Sequence, residues 1–226
     1  MRGTRGLPNH ASRKVNPVSP RKISRPLPPE GAGSREAILL AALEAFARDG
    51  YDGASMPRIA RIANVAPPLI HYYFGSKEKL WRETVGRSLG ELRREADAIN
   101  AATRGLAPLD RLRALLQAYC RFAARWPDHF FMIIAEARSD SARFAWVQEN
   151  FTESLFDDIV QLLKDASIAG AIREVQPERV AITLIAGILL NFTVIPARRS
   201  GETTEEAANS YAGQLFEMLL HGIAAN

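Results

Sequence analysis

The stretch NVAPPLIHYYFGSK, Asn64–Lys77, decides how this sequence is interpreted. Asn64 is a turn residue that tolerates a left-handed backbone, and Pro67 suits the first position of a helix, where no N–H group is required. Gly75 is suited to end that helix, and Ser76 can cap the next one. The stretch therefore predicts a short helix from about Pro67 to Phe74 with a sharp turn on either side.

The sequence before this stretch supplies two more helices. A first helix begins at Ser34, a possible N-cap, and carries apolar residues at helical spacing until Asp49-Gly50 ends it. Ser55 can cap a short second helix. The three helices have apolar positions spaced to hold them together: Ile59, Ala63, Val65, Ile70 and Phe74. Three short helices with a sharp second turn predict a helix-turn-helix unit, whose last helix lies in the DNA major groove.

The remaining sequence is helical in pattern and shows no convincing alternating strand. We predict helices near 77–102, 108–125, 128–139, 142–169, 177–197 and 203–224. The fold class is therefore all-α, with an N-terminal helix-turn-helix domain and a larger C-terminal helical domain. Residues 180–197 carry no charge over 18 positions, the lower limit for a membrane span. Polar residues and a proline interrupt this run, which favours a helix buried against a partner subunit over a membrane helix.

Composition limits the function and the compartment. Residues 1–82 contain fourteen Lys and Arg and six Asp and Glu, whereas acidic residues predominate in 83–226. A basic front half predicts contact with a polyanion. Residues 1–33 hold six of the thirteen prolines and seven basic residues, which predicts a disordered basic arm. The single cysteine, Cys120, permits no internal disulfide and favours a cytoplasmic location.

Several short motifs together resemble the DNA-binding domain of the TetR family of bacterial regulators. The matching pieces are GYDGAS at 50–55, IA at 59–60, ANV at 63–65, IHYYF at 70–74 and GSKEKL at 75–80. The resemblance implies a DNA-binding domain at 34–80 and an effector-binding and dimerisation domain at 81–226. It implies a transcriptional regulator, most simply a repressor, that binds a near-palindromic operator on double-stranded DNA as a homodimer and responds to a small molecule.

The DNA-binding candidates divide by chemistry. Ser55 and the N–H groups of its helix turn suit a phosphate oxygen, and Lys77 resembles the phosphate-clamping lysine of the family. Arg58 is a candidate for a groove or backbone contact. Pro67, Pro68 and Leu69 offer apolar contacts to thymine methyl groups, and His71 and Tyr72 offer polar contacts. Ala66 stands at a cap position where the family usually has Ser or Thr, which removes a capping oxygen worth about 1 kcal/mol.

Two further sites follow from the resemblance alone. The middle helices are expected to enclose an effector pocket, with candidate lining residues Tyr119, Phe122, Phe130, Phe151, Phe156 and Asn191. The last two helices are expected to pair with those of a second copy. The candidate residues for that dimer interface are Leu184, Ile188, Leu189, Leu215 and Leu219.

Two other classes of function compete with this interpretation. A helical enzyme is disfavoured because no Ser/His/Asp or Cys/His constellation is visible. The four histidines are scattered without metal-ligand spacing, so we expect neither a metal nor a cofactor. A helical interaction module without a DNA-binding role remains open. The salt dependence of binding distinguishes it, since a DNA-binding protein loses affinity steeply as salt rises.

Overall fold

The structure of the chain, a computed structural model, describes residues 33–138, 141–194 and 204–223. The described residues form ten α-helices and no β-strand. Three helices make the N-terminal unit: α1 (Ser34–Gly53), α2 (Met56–Ala63) and α3 (Pro67–Phe74). The other helices are α4 (Lys77–Ala102), α5 (Pro108–Arg125), α6 (Pro127–Arg138), α7 (Ala142–Val147), α8 (Glu153–Ile168), α9 (Pro177–Val194) and α10 (Thr204–Ile223). The predicted fold class is confirmed, whereas the predicted arm lies, apart from Gly33, outside the described residues.

The structure corrects two helix boundaries. Ser34 is the first residue of α1, and Gly33 occupies the N-cap without any side-chain hydrogen bond. The helix predicted at 142–169 is divided, because a π-helical turn at Gln148–Thr152 separates α7 from α8. No proline or glycine lies in that segment, so the sequence contains no local signal for the interruption.

Helix α1 joins the two parts of the chain. It packs against α2 and α3 of the N-terminal unit and also against α4, which follows that unit, and α6 of the larger domain. Its regular part ends at Gly50, which has a φ of 70° that glycine adopts without steric cost. Two ion pairs between α1 and α4, Arg35–Glu83 and Glu36–Arg87, fix the long helix α4 beside the helix-turn-helix unit.

A buried polar contact lies at the same junction. His129 on α6 is fully buried, and its Nδ1 lies 2.7 Å from the Ser88 Oγ on α4. Burial lowers the pKa of His129 to about 3, so its ring is neutral near neutral pH. This contact links α6 to α4, the helix that leads directly from the helix-turn-helix unit.

Candidate nucleic-acid interface

The second helix of the unit begins at a capped turn. Ser55 precedes α2 with an extended backbone, and its Oγ accepts a hydrogen bond from the Arg58 N–H at 3.4 Å. Ile59 and Ala63 are buried against α1 and α3. Ser55 itself is exposed, so the first turn of α2 is accessible to a phosphate oxygen. The structure thus agrees with the predicted cap, and the phosphate contact remains a prediction.

The sharp turn depends on Asn64. Its φ of 56° and ψ of 46° place it in the left-handed region, and the Val65 N–H donates to the Ala60 carbonyl at 3.0 Å. Asn64 is the one non-glycine residue with positive φ in the described part of the chain. The turn therefore sets the angle at which α3 leaves α2.

Replacing Asn64 with valine is expected to lower the free energy of unfolding by about 1–2 kcal/mol, because a β-branched residue disfavours this conformation. Asn64→Gly is the matched control, and we expect it to preserve stability or raise it slightly. Urea denaturation of both variants measures the difference. Equal stability of the two variants would contradict the role assigned to the left-handed turn.

The third helix divides into a buried side and an exposed side. Ala66 provides no side-chain cap, and Pro67 occupies the first helical position. Ile70 and Phe74 are buried and attach α3 to the core. The exposed side carries Pro67, Pro68, His71, Tyr72 and Tyr73, while Leu69 is half-buried. Tyr72 is 81% exposed, which is unusual for a large aromatic side chain in a folded domain and leaves it free to contact DNA.

The two ring nitrogens of His71 differ in their hydrogen bonding. Its Nδ1 lies 3.3 Å from the Gly75 carbonyl oxygen at the end of α3. Because a carbonyl oxygen can only accept, Nδ1 carries the proton in this contact. In this tautomer Nε2 is an acceptor, suited to a base-edge N–H donor.

Lys77 is held at the entrance to α4. Its Nζ donates to the Asp52 carbonyl oxygen at 3.3 Å and lies 4.5 Å from the centre of the Tyr51 ring. An ammonium group has three N–H donors, so this geometry leaves donors for a phosphate. The Lys77 ammonium, which is predicted to bind phosphate, is therefore held in place by contacts within the protein.

Arg58 is placed differently from the prediction. Its Nη1 lies 2.8 Å from the Asp49 Oδ2, and Asp49 also contacts Arg48. The Arg58 guanidinium thus links α2 to the end of α1, which argues against a free groove contact. Arg61, one turn further along, is exposed and is better placed for a phosphate.

The sequence analysis gave Tyr51 and Asp49 no part in DNA binding, although Tyr51 contacts Lys77 and Asp49 contacts Arg58. Tyr51 lies in the quoted GYDGAS motif, and its ring stacks on Phe46 with a centroid distance of 6.0 Å. Its place in this motif is the sequence signal that could have identified Tyr51 as part of the site. The pairing of Asp49 with Arg58 had no sequence signal, because it requires the actual crossing of α1 and α2.

The predicted effector residues are distributed through the core of the larger domain. Tyr119 is buried and donates through its hydroxyl to the Leu155 carbonyl at 2.9 Å, and Phe122 packs edge-on against Phe130. Phe151, Phe156 and Asn191 are half-buried. A small cleft lies elsewhere, between α1, α4 and the start of α6, and none of the six candidates lines it. Its lining includes Ser88, Arg87 and Trp126, and its volume of about 10 Å³ is room for one water molecule.

The predicted dimer residues require a correction. Leu184 and Ile188 are buried in the core of the same protomer, because that face of α9 packs against α5, α6 and α8. Leu189, Leu215 and Leu219 are half-buried. The apolar side chains that α9 and α10 expose are instead Ile182, Leu190 and Met218.

Two negative findings apply to the described ranges. They contain no cluster of three or more His, Cys, Asp or Glu side chains arranged to hold a metal ion. None of their helices combines the length and the apolar character that crossing a membrane requires.

Curated relatives share the N-terminal part of the chain. The regulator BetI of Rhizobium meliloti strain 1021 is 40% identical over 87 residues, which is 38% of this chain and 42% of BetI. The chain therefore matches less than half the length of that relative. YhgD of Bacillus subtilis strain 168, an uncharacterized transcriptional regulator, is 25% identical over 151 residues, which is 67% of this chain and 78% of YhgD.

Solved structures share the fold across most of the chain. The ketosteroid transcriptional regulator KstR2 of Mycobacterium tuberculosis aligns with a TM-score of 0.73 and 21% identity, covering 86% of this chain and 96% of KstR2. A tetR-family regulatory protein from Rhodococcus RHA1 aligns with a TM-score of 0.69 and 21% identity, covering 85% and 98% of the two chains. At this identity the likeness shows the fold alone.

Residues 38–84 match the family model of bacterial regulatory proteins, tetR family. These residues contain the end-capped α2, the Asn64 turn, the exposed side of α3 and Lys77. The family consists of regulators rather than enzymes, as the names of the relatives indicate. Residues 38–84 are therefore a helix-turn-helix domain of the TetR family of bacterial regulatory proteins.

Proposed function

We propose that this protein is a transcriptional regulator in the bacterial cytoplasm, which binds a near-palindromic operator as a homodimer and changes its affinity when a small molecule binds. One observation carries the DNA-binding part. The helix-turn-helix unit exposes His71, Tyr72 and two prolines on α3, next to Lys77 at the start of α4. Repression is the simplest mode, because a dimer on an operator excludes other proteins from it.

Readout is expected to rely on van der Waals contact and DNA shape. The exposed side of α3 lacks Arg, Lys, Asn and Gln, the residues that make most bidentate base contacts. Pro67 and Pro68 offer apolar surface to thymine methyl groups instead. The basic residues of 1–33, which lie outside the described residues, could add phosphate contacts.

Selection of binding sites from random double-stranded DNA tests the proposal directly. We expect an enriched near-palindrome whose half-sites are one helical turn apart or a multiple of it. Affinity for the selected site should fall steeply as salt rises. The absence of any enriched sequence, together with salt-independent binding, would refute DNA recognition and favour an interaction module.

Lys77→Ala is expected to weaken DNA binding on all sequences alike. Removing one phosphate contact per protomer should reduce the slope of log affinity against log salt by about 2 for a dimer. Lys79→Ala, two residues along on the exposed side of α4, is the matched control for loss of charge. Titrations at several salt concentrations measure both slopes, and an unchanged slope for Lys77→Ala would exclude the phosphate contact.

A further inference from the structure

Two cations from different domains contact the ring of Tyr51. The Lys77 Nζ lies 4.5 Å from the ring centre, and the Arg143 Cζ lies 3.7 Å from it. Lys77 begins α4 beside the helix-turn-helix unit, whereas Arg143 lies in α7 of the larger domain. An aromatic face attracts cations electrostatically, and guanidinium groups also stack on it. Tyr51 is therefore a physical contact between the larger domain and the proposed phosphate clamp.

Arg143 is fixed by a buried carboxylate. Its Nε donates to the Glu136 Oε2 at 2.9 Å, and the Ser141 hydroxyl donates to the same oxygen at 2.6 Å. Glu136 is 3% exposed and lies in the last turns of α6. Ser141 also caps α7 by accepting from the Phe144 N–H at 3.1 Å. The end of α6 and the start of α7 thus hold the guanidinium against Tyr51 as one unit.

The ring is equally fixed on the DNA-binding side. Tyr51 stacks on Phe46 of α1 and meets Trp81 of α4 edge-on at 6.4 Å. The next residue, Asp52, supplies the carbonyl oxygen that accepts from Lys77. A displacement of Tyr51 therefore changes both contacts that restrain the ammonium group.

Helix α6 connects this unit to the rest of the larger domain. It packs against α1 and α9, and α9 packs against α5 and α8 around the aromatic core. A ligand that rearranges this core and shifts α6 would also shift Glu136 and Arg143.

From these contacts we infer that Tyr51 and Arg143 are positioning residues, through which the larger domain sets the place of the Lys77 ammonium at the DNA backbone. The inference rests on the proposed function, in which Lys77 binds phosphate. With Arg143 stacked on Tyr51, the ring stays in place and Lys77 is held for DNA. With Arg143 withdrawn, the ring and Lys77 gain freedom, and operator affinity falls.

The first test needs no DNA. Lysine acylation followed by mass spectrometry measures the reaction rate of Lys77, with Lys79 as the internal reference. We expect Arg143→Gln and Tyr51→Leu to raise the Lys77 rate several-fold and to leave the Lys79 rate unchanged. Tyr51→Phe keeps the aromatic face and should retain the wild-type rate. Arg125→Gln is the matched control, because Arg125 also pairs with a carboxylate, Glu91, and lies over an aromatic ring, Trp126.

The second test is a double-mutant cycle on the selected operator. Arg143→Gln and Tyr51→Leu should each weaken binding and lower its salt dependence, but neither should weaken it further in the Lys77→Ala background. Full additivity with Lys77→Ala, or unchanged Lys77 reactivity in both variants, would overturn the inference. If the wild-type protein shows no salt-dependent DNA binding, the proposed function fails, and the acylation rates still decide whether Tyr51 and Arg143 position Lys77. Thermal melting confirms that each variant is folded. If Arg143→Gln does not fold, the difference in Lys77 acylation rate between Tyr51→Leu and Tyr51→Phe tests the inference in its place.

Discussion

Leu190→Glu is expected to produce a monomer that has lost most of its operator affinity. Leu190 is 57% exposed on α9, Ile182 is 59% exposed about two turns earlier, and Met218 is 73% exposed on α10. These apolar side chains lie on the two helices proposed to meet their counterparts in a second copy. A carboxylate at the centre of such an interface would be desolvated without a partner, which costs several kcal/mol.

The loss of operator affinity follows from the loss of linkage between two reading heads. A dimer binds its second half-site intramolecularly, which raises overall affinity by about 10²- to 10⁴-fold over one head. Size-exclusion chromatography with light scattering gives the mass of the variant, and titration on the selected operator gives its affinity.

Ile168→Glu is the matched control for this variant. Ile168 is 85% exposed at the end of α8, outside the two helices proposed to form the interface, so a charge there should change neither the mass nor the affinity. A Leu190→Glu protein that remains dimeric would exclude this face as the interface. A monomeric variant with full operator affinity would instead show that dimerisation is not required for DNA binding.

The exposed residues of α9, such as Leu190, could not be identified from the sequence. An uncharged run predicts that a helix is largely buried, but its periodicity does not say which side faces the protomer and which faces a partner. Leu184 and Ile188 fill the protomer core, and Leu190 is exposed. Only the packing of α9 on α5, α6 and α8 distinguishes them.

The helix-turn-helix unit was predictable because its determinants are local. Asn64 in the left-handed region, Pro67 at the first helical position and the Ser76 cap each act within a few residues of their place in the chain. Apolar spacing then identified Ile70 and Phe74 as buried. Short-range geometry therefore determined nearly all of this unit.

The contacts between separate helices were not predictable in the same way. Arg58 has the same sequence signature as a free surface arginine, yet it pairs with Asp49. The Ser88–His129 hydrogen bond joins residues 41 positions apart. The effector candidates were aromatic residues on helices, and such residues fill a core as readily as they line a pocket. Tyr119, whose hydroxyl is bonded to the Leu155 carbonyl, illustrates the first case.

The acid stability of the protein is expected to depend on two adjacent residues with opposite effects. Burial lowers the pKa of His129 to about 3, below its value of ~6.5 in an unfolded chain. Burial, and then the Glu44 carboxylate on α1, raise the pKa of Asp128 to about 6, above its unfolded value of ~3.9. Both side chains lie at the start of α6, where it packs against α1.

The two shifts have opposite signs in the pH dependence of stability. Between pH ~6.5 and ~3 the folded protein leaves His129 neutral while the unfolded chain protonates it, so acid lowers the free energy of unfolding by about 1.4 kcal/mol per pH unit. Between pH ~6 and ~3.9 the folded protein protonates Asp128 before the unfolded chain does, so acid raises stability there. The two contributions nearly cancel over that range.

Single substitutions should separate the two contributions. Asp128→Asn removes the offset, so its free energy of unfolding should fall relative to wild type by about 2 kcal/mol between pH 6 and pH 4, given that this carboxyl is only partly buried. His129→Leu should gain stability relative to wild type as the pH falls from 6.5 to 4. The unfolded variant has no imidazole at this position to take up a proton, so acid no longer favours its unfolded state there. The Ser88 hydroxyl keeps acceptors in the Thr84 and Val85 carbonyls, each at 3.2 Å.

Urea denaturation followed by circular dichroism across this pH range gives the free energies, and differences from wild type cancel the titration of all other groups. His221→Leu is the matched control for replacing a histidine by leucine, because His221 is exposed on α10. A curve for His129→Leu that is also parallel to wild type would mean that the buried ring takes up its proton without unfolding. His129 joins α6 to α4, the helix that leads to the DNA-binding unit. The stability lost at neutral pH in the same variant therefore measures what this contact contributes to holding the two helices together.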